Sequence, residues 1–379
     1  MVISNVIVET FRYPDPIAPD ANGHTHPGKV HTGRKTLLKI ITDEGYEGCA
    51  FGGNPDVLEN VVKPALLGED PFDRERIWRR LRDMQRIIRN FLGLDLHTVD
   101  LALWDLAGHI LQVPVNKIVG SCRNKIKAYA STMCGDDYEH GLSTPEDYAR
   151  FALQCRARGY TAYKMHLWVS PKEGAPNWRK DLEACTAVKA AVGDSMRLMV
   201  DCCGAFNRNE ALMFGRELQK LGYYWMEEPM NEAEVQSYVW LTNKLDITVL
   251  GPETPKDMET RAEWVIRGAS SMNRCGAMDV GGITPLIKVV HMFETFGMPF
   301  DMHMSDPGNL QILGTTMLSE YYERGLLHPF LDYDQALPYL NQIFDPMDSD
   351  GYVHISDLPG IGLDINFDYI KENLIKRED

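Results

Sequence analysis

The chain has 379 residues, of which 44% are hydrophobic and 25% are charged, and its formal net charge is −15. This composition is ordinary for a soluble globular enzyme, and the length predicts one large domain with a smaller one attached. The negative charge argues against nucleic acid and anionic membrane surfaces as partners, because both require basic patches. No apolar run approaches the ~18 residues that a membrane span requires.

The amino terminus and the cysteines favour a cytoplasmic protein. The first residues, MVISNVIVETFRYP, have a strand pattern and lack the basic region and apolar core of a signal peptide. The eight cysteines have no framework spacing, which indicates reduced and mostly buried thiols. They are Cys49, Cys122, Cys134, Cys155, Cys185, Cys202, Cys203 and Cys275.

The amino-terminal region predicts an α+β domain. Residues 2–12 and 36–51 have strand patterns. Helical periodicity follows at 55–67, 73–90 and 93–111. The last helix is mostly apolar, which indicates that it packs between two domains.

A long segment between the first two predicted strands, residues 13–35, is rich in Pro, Gly and His. Loops of this length are usually functional or disordered. The segment is therefore either a lid over a binding site or a mobile surface loop. As a lid, it offers His24, His26, His31 and Arg34 to a substrate.

From about Lys125, strand-like runs alternate with helical stretches. The runs are IKAYAS, YTAYKMH, MRLMVD, YYWMEE, ITVLGPE, RCGAM, MPFDMH and HPFLDYD, with a helix at 310–324 before the last one. Eight strands that alternate with helices predict a barrel rather than an open sheet. We therefore predict a barrel at 125–339 and a capping domain at 1–124, to which a tail at 340–379 returns.

Three carboxylates recur at equal steps along this barrel. Asp201, Glu227 and Glu253 each close a short apolar run, and the two intervals are 26 residues each. A single acid at a strand end commonly caps a helix, but the carboxyl ends of neighbouring parallel strands bring three such acids together. Three ionised carboxylates need a cation between them. Oxygen ligands predict Mg²⁺, with Mn²⁺ as a substitute.

Further polar residues end other strands at the face where barrel enzymes place their active sites. Lys164 and His166 are two residues apart on the second strand and therefore point to the same side. Lys164 can neutralise a substrate carboxylate or act as a base with a lowered pKa. His303 follows the seventh strand and is our candidate for the general acid and base. The predicted chemistry is removal of a proton next to a carboxylate, with the metal stabilising the resulting enediolate.

These residues resemble the enolase superfamily, and within it the mandelate racemase subgroup. HTVDLALWDLAGHILQVPVNKIVG, RGYTAYKMH, WMEEP, GPE, GGIT and LPGIGLDI are similar to its signatures. The resemblance implies a (β/α)7β TIM-type barrel with an α+β capping domain, Mg²⁺, and acid-sugar or α-hydroxy-acid substrates. It implies metal ligation by Asp201, Glu227 and Glu253, and catalytic roles for Lys164 and His303.

Four positions depart from the pattern of that subgroup. His166 replaces a second lysine, which favours one-base dehydration by His303 over two-base racemisation. The aspartate partner of the histidine would fall on Gly276, and Asp279 can replace it if the loop curls inward. Cys203 replaces a frequent asparagine. Asp332 stands where the subgroup has a glutamate that hydrogen-bonds the metal-bound carboxylate.

The sequence therefore predicts a Mg²⁺-dependent acid-sugar dehydratase, similar to rhamnonate or lyxonate dehydratases. It would convert an aldonate or aldarate into a 2-keto-3-deoxy acid. A racemase, epimerase or cycloisomerase on the same scaffold is the alternative, and a non-catalytic sugar-acid sensor is a third. The resemblance alone implies a homo-oligomer, with an octamer as one candidate.

Overall fold

The computed structural model describes residues 1–375 and opens with an antiparallel sheet. Its strands are β1 (Ile3–Pro19), β2 (Thr25–Thr42) and β3 (Glu47–Phe51), in the order β1-β2-β3.

The predicted loop at 13–35 is wrong, because most of this segment belongs to a long β-hairpin. β1 and β2 pair as far as Pro19 and Thr25, with an irregularity between Asp15 and Ile17. The glycines in this segment suggested a loop, but they also fit the hairpin, because a side chain at some of these positions would collide with the paired strand. A Cβ atom on Gly33 would lie 2.8 Å from the ring of Tyr13.

Helices of the amino-terminal region follow the sheet. They are α1 (Pro55–Val57), a π-helical turn (Leu58–Val62), α2 (Lys63–Leu66), α3 (Arg74–Gln85), α4 (Gly93–Leu111) and α5 (Val115–Val119). Helix α4 has the predicted bounds and joins separate parts of the chain. The Asp105 carboxylate accepts hydrogen bonds from the backbone N–H groups of Cys49 at 2.8 Å and Ile361 at 2.9 Å. The indole of Trp104 donates to the hydroxyl of Thr284 at 2.9 Å.

The barrel is confirmed, and its strands are parallel. They are β4 (Lys125–Thr132), β5 (Ala162–His166), β6 (Arg197–Asp201), β7 (Trp225–Glu227), β8 (Thr248–Leu250), β9 (Asn273–Cys275), β10 (Phe300–Met302) and β11 (Tyr321–Leu327). Hydrogen bonding links them in the order β11-β4-β5-β6-β7-β8, and β9 pairs with β10. A bridge between Leu250 and Met272 joins the two groups. The Ser305 hydroxyl closes the ring by donating to carbonyl groups of β11.

Helices surround this ring and connect its strands. They are α6 (Pro145–Ala157), α7 (Trp178–Val192), α8 (Arg208–Leu221), α9 (Val235–Thr242), α10 (Met258–Arg267), α11 (Ala277–Val280), α12 (Ile283–Phe296) and α13 (Pro307–Leu313). None of the described helices combines the length and apolar character needed to cross a membrane.

The eighth barrel strand differs from the prediction. We expected a helix at 310–324 and a strand at HPFLDYD, whereas α13 ends at Leu313 and β11 is Tyr321–Leu327. Tyr, Glu, Leu and Arg fit either a helix or a strand, and pairing with β4 from Tyr321 to Leu327 decides between them. As a consequence, Asp332 lies beyond the strand and not at its end.

The carboxyl-terminal segment contacts both parts of the molecule. Strand β12 (Tyr352–His354) pairs with β4, and helix α14 (Phe367–Glu372) follows. The N–H of Ile375 donates to the carbonyl of Thr10 in β1 at 2.8 Å. The boundary at 124/125 stays a prediction, and residues 376–379 of the predicted tail lie outside the described residues.

Candidate active site

The three predicted metal ligands come together at the carboxyl ends of neighbouring strands. Asp201 ends β6, Glu227 ends β7 and pairs in register with Asp201, and Glu253 follows β8. One carboxylate oxygen from each residue lies within 4.8 Å of the other two. The side chains of Asp201 and Glu227 are buried, whereas that of Glu253 is partly exposed.

Two buried cations neutralise part of this charge. The Lys164 ammonium lies 3.0 Å from Glu227, and the Arg274 guanidinium bridges Glu227 at 2.6 Å and Glu253 at 3.0 Å. Burial, Asp201 and Glu323 nevertheless outweigh Lys164 and Arg274, so the pKa of Glu227 is raised to about 8. The cluster therefore has negative charge that the protein does not balance.

This donor set fits Mg²⁺. All three converging groups are carboxylates, which are the ligands that a hard divalent cation prefers. Their spacing permits one ion to contact all three residues, and the raised pKa of Glu227 shows that a further positive charge is favourable there.

His303 and Asp279 form a buried pair next to this cluster. Asp279 belongs to α11, which turns inward after β9, and His303 directly follows β10. Nδ1 of His303 lies 3.0 Å from both carboxylate oxygens of Asp279, and Nε2 lies 3.2 Å from Glu253. Burial lowers the pKa of His303, but Asp279 and Glu253 outweigh it and the net shift is upward. The predicted inward curl of this segment is what the structure shows.

Lys164 lies beneath the carboxylates and does not line the cavity described below. Its ammonium also contacts Glu323 at 2.8 Å, and its side chain is fully buried. Burial and Arg274 lower the pKa of Lys164, whereas Glu227, Glu323 and Asp201 raise it by more. Lys164 is therefore a fixed cation in this state, which argues against a base with a lowered pKa.

His166 lies on the opposite side of Asp201 from the second metal ligand, Glu227. Its Nε2 is 3.1 Å from a carboxylate oxygen of Asp201. Burial lowers the pKa of His166, but Asp201 outweighs it and raises the pKa to about 9. The same pairing, together with Lys164, holds the pKa of Asp201 well below its usual range despite burial.

Glu323, and not Asp332, occupies the polar position on the eighth strand. Its carboxylate accepts from Lys164, from Arg274 at 2.7 Å and from the backbone N–H of Met304 at 2.7 Å. Asp332 is exposed and hydrogen-bonds Gln335 in the following turn. Our assignment of Asp332 to the strand is therefore wrong, although its side chain lines the outer part of the cavity.

Sequence reasoning missed Glu323 and Arg274. Both residues lie on short strands with little apolar sequence. The pattern that could have identified them is a charged residue between neighbours that are predicted to be buried. Arg274 is 1% exposed in the middle of β9, and Glu323 is 4% exposed in β11. Buried charges of this kind are rare unless they are paired, so each predicts an ionic cluster inside the barrel.

A cavity of about 1030 Å³ opens above these residues. Polar residues from the strand ends line its inner part: His166, Asp201, Cys203, Glu228, Glu253, Arg274, His303 and Glu323. The amino-terminal hairpin and residues 326–345 form most of the remaining wall, to which Met133, Cys134, Met304 and Gly325 also contribute. Catalytic candidates from the barrel and side chains from the cap therefore share one chamber.

The hairpin residues that we predicted to bind substrate have different positions. His24 lines the cavity, whereas His26 is buried against Asp20 at 3.1 Å. His31 and Arg34 are exposed and do not reach the cavity within this chain. His31 pairs with Asp15 and Arg34 pairs with Arg12 along the hairpin. Lys35, the next residue along β2, lines the cavity instead.

Comparison with known proteins gives consistent matches over the whole fold. A model of the enolase C-terminal domain-like family matches residues 147–369. A model of the mandelate racemase / muconate lactonizing enzyme N-terminal domain matches residues 8–120. The crystal structure of a D-glucarate dehydratase from Agrobacterium tumefaciens complexed with magnesium is 46% identical, with a TM-score of 0.97 over 99% of this chain and 100% of that chain.

Curated relatives are more distant but match over similar lengths. An L-talarate/galactarate dehydratase from Salmonella typhimurium is 27% identical over 89% of this chain and 84% of the relative. An arabinonate dehydratase from Saccharolobus solfataricus is 25% identical over 90% of this chain and 89% of the relative.

Proposed function

This chain belongs to the mandelate racemase / muconate lactonizing enzyme family of the enolase superfamily, and from that membership we propose that it is a Mg²⁺-dependent acid-sugar dehydratase. The observation that carries the proposal is the pairing of His303 with Asp279 beside three converging carboxylates, of which Asp201 and Glu253 line the same cavity as His303. The dehydratase names of the relatives support the same reaction class.

His303 is the proposed base and acid. The ionised Asp279 carboxylate can only accept hydrogen bonds, so the imidazole of His303 is oriented with Nδ1–H toward it. The lone pair on Nε2 is then available for the α-proton of the substrate. The same proton then returns to the leaving β-hydroxyl, which departs as water. The remaining enol rearranges to a 2-keto-3-deoxy acid, and His303 is again neutral.

Asp201, Glu227 and Glu253 are the proposed metal ligands. Mg²⁺, when bound there, would neutralise the negative charge that develops on the substrate carboxylate as the α-proton leaves. Lys164 keeps its positive charge beneath the metal ligands and is proposed to stabilise the same carboxylate electrostatically from there. Glu323 holds Lys164 in the barrel at 2.8 Å. His166 is proposed to bind a substrate hydroxyl or to act as a second acid.

Lys35 supports a substrate with two carboxylates. Burial lowers its pKa more than Asp15 raises it, so its positive charge is incompletely compensated. Within residues 1–375 its ammonium has no ion-pair partner, and it lines the cap side of the cavity together with His24. A distal carboxylate at this position would neutralise Lys35, which favours an aldarate over an aldonate.

A panel of aldarates and aldonates with Mg²⁺ tests this proposal. Dehydration produces a 2-keto acid that semicarbazide traps, and a variant with His303→Asn is expected to form none. Racemisation or epimerisation would instead exchange the α-proton of recovered substrate in D₂O without a keto product, and a cycloisomerase would release a lactone. Binding of acid sugars without any turnover would favour the non-catalytic sensor.

We also propose a cytoplasmic location and a homo-oligomeric state. All eight cysteines are free thiols, which supports a reducing compartment. In light scattering, any homo-oligomer would give a multiple of 43.0 kDa, an octamer would give eight times that mass, and a monomer would contradict the proposal.

A further inference from the structure

A second group of potential metal ligands, richer in nitrogen and sulfur, shares Asp201 with the carboxylate cluster. Donor atoms of His166, Asp201 and Cys203 lie within 4.8 Å of one another. Cys134 is not part of that group of three, but its thiol interacts with that of Cys203 and both cysteines line the cavity, so Cys134 becomes a fourth donor if it approaches the site. Cys134 is 7% exposed, so this second thiol is also buried in the site.

Two of the three donors in this group differ from those of the carboxylate cluster. His166 offers a nitrogen and Cys203 offers a sulfur, and each of these donors is softer than oxygen. Nitrogen and sulfur ligands favour Zn²⁺, whereas Mg²⁺ selects oxygen.

We propose that His166, Asp201, Cys203 and Cys134 form an inhibitory Zn²⁺ site that competes with Mg²⁺ for Asp201. A tetrahedral ion with bonds of about 2.0 Å to nitrogen and oxygen holds those two atoms about 3.3 Å apart. The observed distance between His166 Nε2 and Asp201 Oδ2 is 3.1 Å. The sulfur atom of Cys203 lies at most 4.8 Å from the His166 nitrogen in the structure. Zinc coordination requires a separation of about 3.6 Å between these two atoms, so the sulfur has to move closer.

Occupancy of this site has two consequences. Asp201 is withdrawn from the carboxylate cluster, and His166 no longer faces the cavity as a free imidazole. Coordination requires neutral His166 and thiolates, so the His166 imidazolium and each coordinated thiol release a proton to the solvent. Zinc is therefore expected to inhibit turnover in competition with Mg²⁺.

Co²⁺ is a suitable probe, because a thiolate–Co²⁺ bond gives a near-ultraviolet charge-transfer absorption that oxygen ligation does not. We expect this band in the wild-type protein and a weaker band, with binding weakened about tenfold or more, in each of Cys203→Ser and Cys134→Ser. The band should be lost when both cysteines are substituted. It should persist in Cys122→Ser, which removes an exposed thiol outside the site. It should also persist in Glu253→Gln, because Glu253 is not a member of the nitrogen and sulfur group. Circular dichroism and the melting temperature verify that each variant is folded.

Two results would overturn the proposal. One is a wild-type protein without the band, and the other is a band that survives both cysteine substitutions or disappears with Cys122→Ser. Zn²⁺ titrated against Mg²⁺ in a turnover assay then measures the competition, which Cys203→Ser should weaken about tenfold. The absorption readout does not require dehydratase activity, so failure of the proposed function and failure of the zinc site remain distinguishable.

Discussion

The substitution Asp279→Asn tests whether His303 acts as an oriented base. The wild-type carboxylate is fully buried and lies 3.0 Å from Nδ1 through both oxygens. A hydrogen bond to a charged group contributes about 1.5–3 kcal/mol. At about 1.4 kcal/mol per factor of ten, the substitution is expected to lower kcat/KM by roughly 10- to 100-fold. The change should fall mainly on kcat, because Asp279 contacts the base and not the cavity.

The pH profile gives a second, independent readout. His303 must be neutral to accept a proton, so activity rises as the pH passes upward through its pKa. Asp279 contributes to the raised pKa of His303, and its removal should move the acid limb of kcat/KM to lower pH. Stopped assays of 2-keto product over a range of pH values measure both effects.

Lys256 provides a matched control for this substitution. Its ammonium lies 2.8 Å from Asp279, but its side chain is 48% exposed, so solvent screens the interaction. Lys256→Met is expected to change kcat/KM by less than about fivefold. If Asp279→Asn keeps wild-type activity and an unshifted acid limb, or if Lys256→Met has the larger effect, Asp279 does not orient the base.

Three further predictions concern charge and substrate selection. Folding without metal raises the pKa of Glu227 from 4.5 to about 8, so the folded protein binds the proton of the Glu227 carboxyl more tightly than the unfolded chain does. Calorimetry should therefore show the free energy of unfolding falling as the pH rises from 4.5 to about 8. Glu227→Gln should abolish this loss and also the stabilisation by Mg²⁺; persistence of both would contradict the assignment. Lys35→Met should raise KM for aldarates about tenfold and leave aldonates within about twofold, and an equal effect on both would refute a distal-carboxylate contact. Titration calorimetry in EDTA should detect no acid-sugar binding until Mg²⁺ is added, whereas equal affinity in both conditions would show that the carboxylates do not repel the substrate.

The sequence predicted the elements whose signals are local. The runs that end in Asp201, Glu227 and Glu253 are apolar and equally spaced, and a parallel barrel converts that spacing into proximity. Helix α4 was predicted with its observed bounds because its apolar pattern is long and its end is well marked.

The elements that depend on distant contacts were harder to predict. The segment containing Glu323 has no apolar run of its own, and its strand exists because β4 pairs with it. The hairpin at residues 13–35 contains Pro and Gly, which locally favour a loop, but cross-strand packing such as Tyr13 against Gly33 stabilises it. Lys35 could not be distinguished from Arg34 until the strand was known, because adjacent residues of a strand face opposite sides.

Charge balance explains why the site and the fold are linked. Asp201, Glu227, Glu253, Glu323 and Asp301 contact the two permanent cations, which are Lys164 and Arg274. His166, whose pKa is raised to about 9, pairs with Asp201. The carboxylates outnumber these cations, and the uncompensated negative charge is expressed in the raised pKa of Glu227. An anionic substrate would be repelled by the same excess. Without metal, the clustered carboxylates destabilise the folded protein. A protein with neutral residues at these positions would be more stable, but it could bind neither the cation nor an acid sugar. The unfavourable electrostatic energy of the metal-free state is therefore the condition for binding both.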